Sequence, residues 1–138
     1  MKVSTKGRYA LRLAIDIAKH QDDGPVSLRE VAKRQNISLK YLEQLASQLT
    51  KKGLLKSTRG AHGGYVFAIE TQNITAGEIL RSSEGDLAPV ACLEKGRNLC
   101  PMRKECASLS FWKGLDEVID TYVDSVSLAD LCRQTPCP

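Results

Sequence analysis

No run of apolar residues in this chain approaches the roughly 18 or more that a membrane-crossing helix needs. Hydropathy therefore excludes a spanning segment, and no membrane partner is expected. The opening residues, Met1-Lys-Val-Ser-Thr-Lys-Gly-Arg8, lack the apolar core of an export signal, so the expected location is cytoplasmic. Histidine is scarce: the two present, His20 and His62, stand in no Ser-His-Asp or Cys-His setting. Outside residues 59–64 no Gly-rich loop suits a bound phosphate. These absences argue against an enzyme. Repeats and low-complexity tracts are missing too. With 138 residues, the chain is long enough for one compact unit, or one small domain with an appendage.

The charge that is present is unevenly placed. Residues 1–68 hold thirteen Lys/Arg and five Asp/Glu, a balance of +8, whereas residues 69–138 hold seven and eleven, a balance of −4. A basic half beside an acidic half points to a polyanion facing the first half alone.

The stretch from Ser27 to Ala68 predicts helix, short turn, helix and a two-stranded wing. Ser27 followed by Glu30 has the spacing of a capping box. Leu28, Val31 and Ala32 share one helical face, and Asn36 suits the left-handed residue that ends the first helix. Ser38 suits the N-cap of the second. There Leu39, Leu42, Leu45, Ala46 and Leu49 recur at helical spacing and belong in the core. Lys40, Tyr41, Glu43, Gln44 and Ser47 are left on the other face, where a major groove would meet them. Gly53 stops the helix after Lys51 and Lys52. The wing tip, Arg59-Gly-Ala-His-Gly-Gly64, joins two groove-seeking side chains, Arg59 and His62, to three glycines that permit tight turns. A narrow minor groove attracts an inserted arginine.

Upstream, residues 3–20 predict a first helix capped by Ser4 or Thr5. Tyr9, Leu11, Leu13, Ile15, Ile17 and Ala18 are too many for one narrow stripe, so it should be buried on much of its circumference. Lys6, Arg8 and Arg12 lie near its start, where they can reach phosphates. His20, at its end, is a structural residue by position. Downstream, Thr75-Ala-Gly-Glu78 is a second capping box opening a short helix to about Ser83, after a loop at 70–73.

Residues 84–107 change character. They carry Gly85, Pro89, Gly96, Pro101 and three of the five cysteines, with little periodicity. A helix returns at 108–126, with Trp112, Leu115, Ile119, Tyr122 and Val126 spaced as a heptad-like seam for a two-fold dimer. A short helix capped by Ser127 and Asp130 follows. Cys92, Cys100 and Cys106 are soft donors suited to an iron–sulfur cluster, zinc or copper(I). The odd count, without an export signal, argues against a disulfide framework. The alternatives to a cluster are free, redox-active thiols, zinc, or action through a protein partner.

Six stretches resemble the iron–sulfur cluster regulators of the IscR, NsrR and CymR kind, a family of dimeric bacterial winged-helix transcription regulators. They are Ser4-Thr-Lys-Gly-Arg-Tyr-Ala10, Ile37-Ser-Leu-Lys-Tyr-Leu-Glu-Gln-Leu45, Gly53-Leu-Leu55, Arg59-Gly-Ala-His-Gly-Gly-Tyr65, Ile74-Thr-Ala-Gly-Glu78 and Ser127-Leu-Ala-Asp-Leu131. The resemblance implies a mainly α protein with a small β wing: a winged helix-turn-helix plus a long dimerisation helix. Residues 1–132 form the regulator domain. Within it, 1–83 bind DNA (helix-turn-helix near 28–51, wing 54–68), 84–107 are the cysteine loop, and 108–132 are the dimerisation and end helices. Residues 133–138 are a tail.

It also implies a homodimer on a palindromic double-stranded operator, with Arg59 in a minor groove and residues 38–48 in the major groove. An iron–sulfur cluster, 2Fe-2S or 4Fe-4S, would sit on Cys92, Cys100 and Cys106. The chain departs from the pattern at the fourth ligand. Leu109 stands where one branch has a His, and Arg8 where another has an Asp. Glu94, Glu105, Cys132, Cys137, a small thiol or water would have to complete the site.

Overall fold

The computed structural model describes residues 2–97 and 100–134. Helix α1 (Thr5–His20) is followed by a short 3-10 turn, then α2 (Leu28–Gln35) and α3 (Leu39–Lys51). Strands β1 (Leu55–Thr58) and β2 (Gly64–Phe67) form the wing. Then come α4 (Ala76–Glu84), α5 (Leu109–Ser125) and α6 (Leu128–Arg133). The wing is antiparallel, with Leu55 opposite Phe67 and Thr58 opposite Gly64.

Local chemistry accounts for most boundaries. Ser38 Oγ accepts the Tyr41 N–H and starts α3, and Asn36 closes α2 at φ 52° and ψ 50°. The Thr75/Glu78 and Ser127/Asp130 capping boxes are both complete. The box expected at Ser27 is not. Ser27 Oγ accepts from the Arg29 N–H, and Glu30 turns instead to Lys33 at 3.7 Å. The loop expected at 70–73 contains a 3-10 turn, Thr71–Asn73.

The core is built on α1. Leu13 and Ile17 are fully buried with Val31, Leu42, Leu45, Leu49, Ile74, Ile79 and Leu128, while Tyr9, Leu11, Ile15 and Ala18 pack around them partly buried. Each large apolar side chain removed from water in this way contributes about 1.5–3 kcal/mol. The chain threads back to that core twice. Ala76 N donates to Val126 O and Leu128 N to Ile74 O, both at 2.8 Å, so the start of α6 is pinned beside the start of α4. Helix α5, between them, has no fully buried residue.

One carboxylate is buried inside this frame. Asp16 is 2% exposed and receives Arg34 Nη2 at 2.6 Å and Gln35 Nε2 at 2.8 Å, with His20 Nδ1 3.5 Å away. Burial alone would push its pKa up. The hydrogen bonds of Arg34 and Gln35, then the charges of Arg34 and His20, outweigh burial and hold it below the usual carboxylate value. A depressed folded-state pKa stabilises the fold above the ordinary value of about 4, and that contribution fades as pH falls through the lowered one. Asp16→Asn should therefore flatten the acid limb of a stability-versus-pH curve. Asp16→Ala should cost about 3 kcal/mol in denaturant titrations, the low end for a broken buried pair, because the Arg34 side chain keeps 32% of its exposure.

Candidate nucleic-acid interface

The polar face of α3 emerges where its apolar stripe is satisfied. With Leu42, Leu45, Ala46 and Leu49 all buried, Lys40, Glu43, Gln44 and Ser47 are exposed, and Tyr41 is half-buried. Ser38 is exposed as well, its hydroxyl oxygen engaged in the cap.

Beside the start of α3 stands the first part of α1. The Tyr9 and Tyr41 rings meet edge to face with centroids 5.7 Å apart. Arg8 and Arg12 flank the Tyr9 ring at 6.0 and 5.2 Å, within cation–π range. Arg12 is also tied to the end of α2 through Gln35, whose side chain accepts from Nε at 3.2 Å. Lys6 and Arg8 are exposed. A patch of arginines and tyrosines therefore joins the front of α1 to the front of α3, and Gln35 connects it to buried Asp16. Two signals for this network lay in the sequence: an Asp within the otherwise apolar run Ala14-Ile-Asp-Ile17, and Arg34-Gln35 at the end of a helix.

Arg59 and His62 are exposed on the wing turn. Gly60 takes φ 115°, which only glycine adopts without strain. Gly63 and Gly64 serve packing. A Cβ at either would collide with backbone, the Thr58 carbonyl in one case and the Val26 carbonyl in the other. Val26 and Tyr65 exchange backbone hydrogen bonds at 2.9 Å in both directions, which fastens the wing to the segment before α2. Gly63 thus lets the turn close on itself, and Gly64 lets the wing lie against Val26.

The cysteine loop runs between α4 and α5. Asp86 fixes its beginning, accepting the Ala88 N–H at 2.7 Å and the Lys95 N–H at 2.8 Å. Those backbone donors hold the Asp86 carboxyl below its usual pKa range. Arg103 donates to the Cys92 carbonyl at 3.2 Å. Cys92 is half-buried, while Cys100 and Cys106 are exposed. The hydroxyl of Ser108, 3.5 Å from Cys106 Sγ, and the Ser108 and Leu109 N–H groups at the front of α5 draw the Cys106 thiol below its ordinary pKa. Cys132 lies elsewhere, on α6, its thiol directed at the Ile15 carbonyl and its pKa raised by burial. Cys137 lies outside the described residues.

Among the described residues no three His, Cys, Asp or Glu side chains gather closely enough to hold a metal. The three loop thiols supply donors of the right softness for a cluster or a zinc ion, but they do not converge on one point.

On α5, the sequence-predicted seam divides. Ile119 lines a cleft with Leu80, Leu87 and Val123, on the side facing α4. Arg81 reaches across to Asp120 and Asp124 at 2.8 and 2.7 Å and fixes that side inward. Tyr122 faces out at 67% exposure, with Phe111 and Val118 each at 64%. Trp112, Leu115 and Val126 are half-buried.

The chain matches known proteins along nearly its whole length. The family model Rrf2, described as an iron-dependent transcriptional regulator, matches residues 3–134. The transcriptional regulator CymR of Bacillus subtilis is 44% identical over 135 residues, 98% of this chain and 92% of that protein. The regulator IscR of Yersinia pestis is 37% identical over 131 residues, 95% and 79% of the two chains. A solved structure of CymR, described as the global cysteine regulator of B. subtilis, superposes with a TM-score of 0.80 at 43% identity, covering 99% of each chain. Among the described residues no helix is long and apolar enough to cross a membrane. The winged helix-turn-helix and these matches together place the chain in the Rrf2 family of DNA-binding transcription regulators, and not among enzymes.

Proposed function

We propose that this regulator acts in the cytoplasm as a homodimer on a palindromic operator, and that the chemistry of its loop thiols sets its affinity. The observation that carries the first part is the pairing of an exposed polar α3 face with an exposed Arg59 wing tip, beside the Arg8, Tyr9, Tyr41 patch. Ser38, Lys40, Tyr41, Glu43, Gln44 and Ser47 would lie along the major groove. Glu43 is suited to accept from cytosine N4 and Gln44 to pair with adenine. Arg59 and His62 would meet the minor groove, and Lys6 and Arg8 the phosphates. Across the molecule, Phe111, Val118 and Tyr122 supply an exposed apolar stripe for a second copy.

The second part rests on Cys100 and Cys106, which stand exposed on the loop that joins α4 to α5. Oxidation or alkylation of those thiols needs no rearrangement of the loop. A second reading, an iron–sulfur cluster on Cys92, Cys100 and Cys106, is favoured by the donor set and by the iron-dependent description of the family; it requires the loop to refold around the three thiols. One preparation separates the two. Protein purified without oxygen is examined for iron, sulfide and visible absorption, and its operator affinity is compared before and after thiol modification. Thiol control predicts a colourless, iron-free protein whose affinity changes on modification. Stoichiometric iron and sulfide, lost in each single loop Cys→Ala variant and kept in Cys132→Ala, would establish the cluster. An iron-free protein with unchanged affinity would reject both.

A further inference from the structure

Helix α1 lacks the cap its own sequence offers. Ser4 occupies the N-cap position, yet its side chain accepts nothing from the first turn. The N–H groups at a helix start have no partners within the helix, and the positive end of the helix dipole favours an anion there. Here the anion comes from the far end of another helix. Glu84, the last residue of α4, places Oε1 to accept the Ser4 N–H at 2.9 Å and the Gly7 N–H at 3.0 Å, and the Ser4 hydroxyl donates to the same oxygen. Gly7 is buried, and a Cβ on it would lie 2.5 Å from Glu84 Oε1 and 2.7 Å from Val3. The sequence thus leaves out the one side chain that would block this contact.

The turn held in this way carries Lys6 and Arg8, both exposed. Apart from Gly7, the buried part of α1 begins at Ala10. The first turn can therefore fray while the core beneath stays packed. A frayed turn leaves Lys6 and Arg8 to be ordered only on binding, at a cost in conformational entropy.

We propose that Glu84 is a positioning residue for DNA binding: by capping α1 from α4 it holds Lys6 and Arg8 in place for the phosphate backbone. The proposal rests on the reading of those two residues as phosphate contacts.

The test is operator affinity over a salt series for Glu84→Ala, Glu84→Gln, Lys6→Ala and Arg8→Ala, with melting temperatures alongside. Each lost phosphate contact flattens the slope of log affinity against log salt by about one. Glu84→Ala is expected to bind roughly tenfold more weakly at low salt with a slope flatter by about one, and to melt close to wild type. Glu84→Gln, whose carbonyl still accepts from both N–H groups and the hydroxyl but lacks the charge, should keep most of the wild-type affinity and the wild-type slope. Wild-type affinity and slope in Glu84→Ala would overturn the proposal. So would weaker binding with an unchanged slope, the mark of a general loss of fold, or a Glu84→Gln as weak as the alanine variant. If Lys6→Ala and Arg8→Ala both bind with wild-type affinity and slope, the phosphate-contact reading fails and the proposal with it.

Discussion

Arg59→Ala is expected to weaken operator binding by about 1–3 kcal/mol, roughly ten- to a hundredfold, with the fold unchanged. The side chain is exposed on the wing turn, so its removal strips nothing from the core. The turn around it is set by other means. Gly60 takes the positive φ, Gly63 lets the turn close on the Thr58 carbonyl, and Gly64 allows the close approach that pins the wing to Val26. On the proposed reading, what the variant loses is a cation at the wing tip, which the negative potential of a narrow minor groove would attract. Fluorescence anisotropy with a labelled operator and thermal melts of both proteins check this. Equal affinity at equal stability would remove Arg59 from the interface.

Val118→Asp should have an effect of at least the same size, by a different route. Val118 is 64% exposed in the single chain and shares its face of α5 with Phe111 and Tyr122. A charge there is solvated in the free protomer, so the variant should fold. In a dimer closed over that stripe the same charge would be buried without a partner, which is costly. Light scattering at micromolar concentration should show a monomer. Operator affinity should fall by about a hundredfold or more, because the two half-sites are then no longer bound as one unit. Ile119→Asp is the contrasting variant. Ile119 lines the cleft with Leu80, Leu87 and Val123, so a charge there should lower the melting temperature of the protomer itself. A Val118→Asp protein that stays dimeric would move the interface off this stripe.

The contrast between those two residues marks where the sequence was legible and where it was not. The helical period of α5 is plain from its apolar spacing. Its phase is ambiguous, because Trp112, Leu115, Ile119, Tyr122 and Phe111, Leu115, Val118, Tyr122 are both heptad-like stripes sharing Leu115 and Tyr122. Tertiary contacts decide between them. Arg81 takes hold of Asp120 and Asp124, and Gly77 leaves no room for a side chain against Asp124 and Val123, which turns Ile119 toward α4.

Signals confined to a few residues read well. The Ser38 cap, left-handed Asn36 and the Thr75/Glu78 and Ser127/Asp130 boxes need only their own neighbours. Ser27 with Glu30 has the same spacing, but Glu30 pairs with Lys33 instead. The polar face of α3 was legible because the core takes Leu42, Leu45, Ala46 and Leu49 and leaves one polar side. Contacts between distant parts were not. Glu84 caps a helix that begins far upstream, and Asp16 draws together the ends of α1 and α2. The wing glycines read as permitting tight turns, but which backbone Gly63 and Gly64 lie against, the Thr58 and Val26 carbonyls, depends on the folded wing.

On the proposed reading, two copies of this chain read one symmetric operator through α3 and the wing. The most direct test of that reading is equilibrium binding of the wild-type protein to a palindromic operator and to the same duplex with one half-site scrambled, over a salt series, with stoichiometry from sedimentation. Two chains per intact operator are expected, with a large loss of affinity when one half-site is scrambled and affinity that falls steeply with salt as phosphate contacts are screened. One chain per duplex with no loss on scrambling, or affinity indifferent to salt, would contradict the reading.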